Sequence, residues 1–201
     1  MKKIVFTAMI VALALFTWVC GPASADEVTD QIDDAVKLYK DGKYAQAASE
    51  LEFAVQQIRQ KQAGLLKDIF PDPPSGWTAG ESESMTTGAA FFGGGISASR
   101  SYSRDDSRIM INVVSNSPVI QSYLMMFSNP MMMAGQGDLV KVAGYKAIRK
   151  FDAGSGKGEM NIVVANKILV TIEGSRLADP QAITTFAEAM DFAGLESLAN
   201  N

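Results

Sequence analysis

The sequence predicts an α+β protein in which an N-terminal helical hairpin precedes an antiparallel sheet of about six strands with two helices. Three observations lead to this fold class. Apolar residues first recur at helical spacing, a proline-rich stretch then interrupts the pattern, and short apolar segments joined by turn residues follow. The predicted parts are a signal peptide at 1–25, the hairpin at 26–69, a linker at 70–76 and the α+β domain at 77–198.

Residues 1–25 have the composition of a cleavable secretory signal peptide. Two lysines precede an uncharged apolar run, and Ala23 and Ala25 are small enough for the active site of a signal peptidase. The run is shorter than the roughly 20 apolar residues that span a bilayer. We therefore expect a periplasmic or secreted protein that begins near Asp26, with no membrane span in the mature chain.

Removal of this segment leaves a chain with neither cysteine nor histidine and with an excess of acidic residues. Such a chain can form no disulfide and lacks the residue types of most nucleophile–base pairs and transition-metal sites. An acidic surface also argues against nucleic acid, whose phosphates attract clustered Lys and Arg. Carboxylate pairs remain at Glu81 and Glu83 and at Asp105 and Asp106, but their polar surroundings favour solvated charge over acid–base chemistry. The sequence therefore predicts a non-catalytic protein without a cofactor or metal.

The segment at 28–58 has the apolar pattern of two amphipathic helices. Asp41-Gly42-Lys43 breaks the pattern, and Gly42 suits the left-handed conformation of a helix end. The small residues of the pattern allow the two helices to approach closely. Its apolar positions are Val28, Ile32, Ala35, Val36 and Tyr39 in the first helix, and Tyr44, Ala47, Ala48, Leu51, Ala54, Val55 and Ile58 in the second.

The spacing of Ala35, Gly42, Tyr44, Ala47 and Ala54 resembles the tetratricopeptide repeat. The resemblance covers a single repeat, whereas repeat arrays bury their helix faces against neighbouring repeats. Two interpretations follow. Either the hairpin packs on the rest of the chain, or it offers its spare face to a partner protein or to a second copy.

Strand and helix signals alternate after the proline-rich linker. Six segments have the β-branched, apolar composition and flanking turn residues of strands. These strands are Ile96–Arg104, Arg108–Val114, Leu139–Val142, Tyr145–Phe151, Glu159–Ala165 and Lys167–Ile172. Helices are predicted over Pro118–Phe127 and from Asp179 to Gly194.

The short turns between consecutive strands indicate antiparallel pairing. The order of two strands, a helix, four strands and a helix resembles that of PsbP-like domains, which serve as extracytoplasmic accessory and binding proteins. This resemblance covers residues 77–198 and implies a binding or scaffolding role.

Two apolar segments are candidate binding surfaces. Five methionines lie within nine residues, and two phenylalanines precede three glycines. The candidate residues are Met125, Met126, Phe127, Met131, Met132, Met133, Phe91 and Phe92. Thioether sulfurs bind Cu(I), but the mature chain lacks the His and Cys that usually accompany them. An adaptable apolar surface for a ligand or partner, or plain packing, is the better interpretation.

These observations together predict an exported, non-catalytic binding or scaffolding protein of the cell envelope. An envelope protein is the expected partner. The alternative is a carrier of an apolar small molecule or lipid, with the methionine-rich segment at 125–133 as the mouth of its binding site.

Overall fold

The computed structural model describes residues 26–87, 95–129 and 135–200. The predicted signal peptide lies outside these residues. The chain divides into two compact units, and the division falls between Val55 and Gln56. Across the described ranges, no helix is long and apolar enough to cross a membrane.

Two helices joined by a tight turn form the first unit. They are α1, Glu27–Lys40, and α2, Tyr44–Leu65. The residues of α2 from Gln56 onward belong to the second unit. The turn places Gly42 at φ +76°, in the left-handed region that the sequence predicts. The Lys43 N–H donates to the Leu38 carbonyl at 3.0 Å. The Gly42 N–H donates to the Tyr39 carbonyl at 3.1 Å, which completes a Schellman motif at the end of α1.

The sides of α1 and α2 that meet carry small residues. The Gln31 amide donates to the Glu50 carboxylate at 2.7 Å and joins the two helices. Ala35 follows Gln31 by one helical turn, and Ala47 and Ala54 flank Glu50 at the same spacing. All three alanines are at most 3% exposed. Small residues therefore occupy buried positions of the hairpin.

A seven-stranded antiparallel sheet forms the second unit. Its strands are β1 Thr78–Thr87, β2 Gly95–Arg104, β3 Ser107–Ser115, β4 Asp138–Val142, β5 Tyr145–Asp152, β6 Lys157–Val164 and β7 Ile168–Ser175. Their order across the sheet is β1-β2-β3-β7-β6-β5-β4. The predicted α+β fold class and antiparallel pairing are confirmed, with seven strands in place of about six.

The strand that the sequence pattern does not reveal is β1. It is mostly polar, contains Glu81 and Glu83, and lacks the alternating apolar residues of a half-buried strand. Its register against β2 shifts between Ala79 and Ser82. β1 lies at the edge of the sheet, where charged side chains oppose pairing with other chains.

Two meanders meet at the centre of the sheet. β1 to β3 form one and β4 to β7 form the other, and β3 pairs with β7 in a register that sets Ile111 opposite Ile172. The turn between β6 and β7 holds Ala165 at φ 49° and Asn166 at φ 57°, which confirms the left-handed backbone predicted at Asn166. The Gly-rich segment between β5 and β6 is a hairpin turn, with Gly156 at φ +63°.

One face of the sheet carries the hydrophobic core. Ile111, Ile162 and Ile172 point to this face and are fully buried. Two helices cover them, α4 Gln181–Glu188 and α5 Phe192–Asn200.

Phe186 of α4 lies at the centre of an aromatic cluster in this core. Its ring centroid is 5.1 Å from that of Trp77 and 4.6 Å from that of Tyr102. The Tyr102 hydroxyl donates to the Pro71 carbonyl at 2.8 Å, and burial raises the pKa of this hydroxyl. The proline-rich segment is thereby fixed to the sheet.

The prediction of one C-terminal helix ending at Gly194 is wrong. The first helix, α4, ends at Glu188, and α5 then continues beyond Gly194. The Gly194 N–H donates to the Asp191 carboxylate at 2.9 Å, so Asp191 caps the start of a second helix. Gly194 therefore lies in the first turn of α5 and does not end a helix.

A further helix, α3 Val119–Ser128, contacts β6. Leu169 and Ile148 point away from the core, because their neighbours along β7 and β5 point into it. Both are 4% exposed, and Ile120 of α3 is 2% exposed. α3 therefore covers part of the second face, which makes the sheet the middle of three layers.

Candidate functional site

The structure describes three of the eight candidate residues of the sequence. Met125, Met126 and Phe127 lie in the second half of α3, where Met125 is 59% exposed and the other two are half-buried. Phe91, Phe92, Met131, Met132 and Met133 lie outside the described residues. The methionine-rich surface therefore stays a prediction.

An exposed apolar surface lies on the hairpin, and its residues recur at helical spacing in both helices. We define the hairpin face as six side chains: Ile32 (38% exposed), Val36 (43%), Tyr39 (64%), Tyr44 (64%), Leu51 (46%) and Val55 (43%). The sequence pattern assigned all six to the apolar stripes of the helices. The structure leaves them exposed, whereas Val28 and the three alanines take the buried positions.

Helical geometry places these six residues on one side of the hairpin. Successive residues of an α-helix are rotated by about 100° around its axis. In α1, Ile32, Val36 and Tyr39 therefore lie about 60° on average from the buried Ala35, in the direction of increasing residue number. In α2, the exposed residues of the face are rotated in the same direction from the buried Ala47 and Ala54. Because the two helices are antiparallel, equal rotations away from the sides that meet bring both sets of side chains to the same side of the hairpin. The Tyr39 and Tyr44 rings confirm this, since their centroids are 5.3 Å apart across the turn. The hairpin face is one continuous surface.

The hairpin that carries this face is acidic. Residues 26–55 contain eight Asp and Glu against three Lys, a net charge of −5. The Lys37 ammonium lies 2.9 Å from the Asp34 carboxylate, whose hydrogen bond and charge raise the pKa of Lys37. Lys43 lies 3.7 Å from Asp41. Two of the three cations are thus paired within the hairpin.

A groove on the sheet unit is a second candidate site. It has a volume of about 720 Å³ and lies on strands β1 to β3 beside the start of α3. Most of its lining is polar, including five serines, Asn112, Lys67, Glu81 and Glu83. The apolar side chains in the lining are Ala98, Val114 and Val119. This volume falls within the range of small-molecule sites, roughly 300–1,000 Å³.

The carboxylates that the sequence singled out do not form a reactive pair in the structure. Glu81 and Glu83 are exposed on the edge strand, and Asp105 and Asp106 lie in the exposed turn between β2 and β3. No group of three or more acidic, His or Cys residues is placed to hold a metal ion within the described ranges.

A row of polar side chains crosses the second face of the sheet. Asn161 is 5% exposed, and its amide accepts from the Thr171 hydroxyl at 2.8 Å and donates to the Glu159 carboxylate at 2.5 Å. Tyr123 of α3 is near Glu159 and Glu173, and burial followed by these charges raises the pKa of its hydroxyl. The sequence pattern does not reveal this network, which satisfies the buried Asn161 amide.

Comparisons with known proteins find no relative for this chain. No protein family, no curated protein and no solved structure matches it. The tetratricopeptide-like and PsbP-like resemblances stay predictions from the sequence.

Proposed function

We propose that this protein is an exported, non-catalytic binding module of the cell envelope, and that the hairpin face is its docking surface for another protein. The exposed, continuous hairpin face is the observation that carries this proposal. Contiguous apolar patches with a polar rim mark interaction sites on soluble proteins. Tyr is enriched at such sites, because its ring provides a large apolar contact and its hydroxyl a hydrogen-bonding group.

The dimensions of the hairpin also suit a protein partner. α1 has 14 residues and is therefore about 21 Å long. This length matches about four turns of a partner helix. The turn hydrogen bonds and the Gln31–Glu50 hydrogen bond join the two helices, so docking on this surface requires little ordering.

Site-specific photo-crosslinking in the native envelope tests this function. A photoreactive residue at Val36 or Leu51 is expected to give the same crosslinked protein band. Phe53 is the matched control, because it is 52% exposed on the same helix but about half a turn away from Leu51. An identical band from position 53, or no band from positions 36 and 51, would contradict the proposal. Amino-terminal sequencing of the purified protein tests cleavage near Ala25 in the same experiment.

The groove on β1 to β3 supports a second candidate function, the carriage of an apolar small molecule. Val114 and Val119 provide apolar contacts in the groove, and Met125 is exposed on the same helix as Val119. Native mass spectrometry of protein purified from its own compartment is expected to show a bound small mass that Val119→Glu removes. Ligand-free protein in every preparation would eliminate the carrier.

A further inference from the structure

We infer that the partner docks on the hairpin face through an amphipathic helix whose apolar stripe is flanked by Lys and Arg. The inference rests on the proposed function and adds the chemistry of the partner. The hairpin has the two features that such a helix would complement, namely the apolar hairpin face and an excess of acidic residues.

The acidity of the chain is concentrated on the hairpin. Residues 26–55 have a net charge of −5, whereas residues 56–201 contain 14 acidic and 13 basic residues. The hairpin therefore creates a negative field that attracts cationic surfaces and orients them before contact.

Acidic side chains also border the hairpin face itself. Asp33 precedes Val36 by three residues and Glu52 precedes Val55 by three residues, so each carboxylate lies beside a residue of the face. Lys40 follows Val36 by four residues and is the one cation at a comparable position on α1. A partner helix on the face would place its flanking residues against Asp33 and Glu52.

A second copy of the hairpin is a poorer occupant. Docked helices pack about 8–10 Å apart, which is close to the screening length of about 8 Å at physiological ionic strength. The charges of two hairpins, each with a net charge of −5, would therefore repel each other at contact. The same charge disfavours nucleic acid and anionic lipid.

Three synthetic peptides of about 18 residues test the inference. One is an amphipathic helix of Leu and Lys, one is a scrambled version with the same composition, and one is the amphipathic helix with Glu in place of Lys. Titration calorimetry on the full protein at physiological salt is expected to show binding of the Leu/Lys helix at least about tenfold tighter than of either other peptide.

Two pairs of variants assign the binding to the face and to its rim. Leu51→Asp is expected to abolish binding, whereas Phe53→Asp adds the same charge away from the face and leaves binding within about twofold of the original. Asp33→Lys is expected to weaken binding about three- to tenfold, more than Asp30→Lys, which changes the net charge equally on the far side of α1. Circular dichroism checks that each variant keeps its helix content.

The outcomes separate this inference from the proposed function. Equal or tighter binding of the Leu/Glu helix, lost in Leu51→Asp, would overturn the basic partner and keep the docking surface. A dimer in sedimentation that Leu51→Asp dissociates would identify a second copy as the occupant and overturn the inference. Failure of all three peptides to bind, or binding that Leu51→Asp leaves unchanged, contradicts the basic helix as the occupant of the face. The crosslinking experiment decides the docking surface separately.

Discussion

The two units of the chain place their large apolar side chains in opposite environments. In the sheet unit, Ile111, Ile172 and Phe186 are fully buried, whereas Tyr39 and Tyr44 of the hairpin are each 64% exposed. The hairpin buries Val28 and three alanines instead. Similar residue types therefore stabilise the fold in one unit and form a surface in the other. Small contact residues leave the large ones available for recognition.

The largest effect is expected from Phe186→Ala in the core. Loss of the ring that packs against Trp77 and Tyr102 should destabilise the sheet unit by about 3–5 kcal/mol. Guanidinium unfolding followed by circular dichroism and Trp77 fluorescence measures the change. Phe53→Ala is the same substitution at an exposed site of α2 and should cost less than about 0.5 kcal/mol. Equal losses of unfolding free energy in the two variants would contradict the difference between a buried ring in the sheet unit and an exposed ring in α2.

Ala54→Leu should be the most damaging change within the hairpin. Ala54 is 1% exposed, and a larger side chain there forces α1 and α2 apart at a cost of about 1–3 kcal/mol. Amide hydrogen exchange of residues 27–55 should lose protection. Ala45→Leu, at an exposed position of the same helix, is the control and should leave the exchange unchanged. Full protection in Ala54→Leu would show that the hairpin accommodates a larger side chain at this buried position.

A smaller, pH-dependent effect is expected at the contact between β5 and α5. The Tyr145 hydroxyl donates to the Glu196 carboxylate, and this hydrogen bond, with a smaller effect of burial, raises the pKa of Tyr145 to about 12. Folding favours the protonated hydroxyl, so its contribution is complete below the ordinary pKa of about 10 and is lost as pH rises towards 12. Solvent screening keeps the contribution below about 1 kcal/mol. The free energy of unfolding of the original protein should therefore exceed that of Tyr145→Phe by less as pH rises from about 9 to about 12, the two ends of this titration. A difference that stays constant over this range would contradict the assignment.

Leu51→Ser should have the smallest effect on stability. Leu51 is 46% exposed, and surface substitutions usually change the free energy of unfolding by less than about 0.5 kcal/mol. Leu195→Ser, at a fully buried position of α5, provides the contrast and should cost at least about 2 kcal/mol. A cost for Leu51→Ser as large as that of Leu195→Ser would favour the interpretation in which the hairpin packs on the rest of the chain.

Local signals in the sequence predicted most of the fold. Gly42 and Asn166 marked turns because each adopts a left-handed backbone that few other residues tolerate. β1 was missed because an edge strand needs no alternating apolar pattern, and Gly194 was misread because a glycine can also lie in the first turn of a helix.

The candidate site was harder to predict than the fold. Periodicity identified Leu51 and Val55 as members of an apolar stripe, but it does not say whether such a stripe is covered. The usable signal was the number of large apolar residues, which exceeds what a single two-helix repeat can bury. The buried Asn161 network depends on cross-strand register, which the sequence does not display.

The pairing of β3 with β7 has a consequence for the order of folding. β3 ends at Ser115 and β7 begins at Ile168, so the central pair of the sheet closes a long stretch of chain. The local meander of β1 to β3 can form first, but it presents an unpaired β3 edge until residues 168–175 are synthesised. Such non-local closure slows folding, and exposed strand edges promote aggregation. A nascent or refolding chain is therefore most vulnerable to aggregation before its last strand is in place.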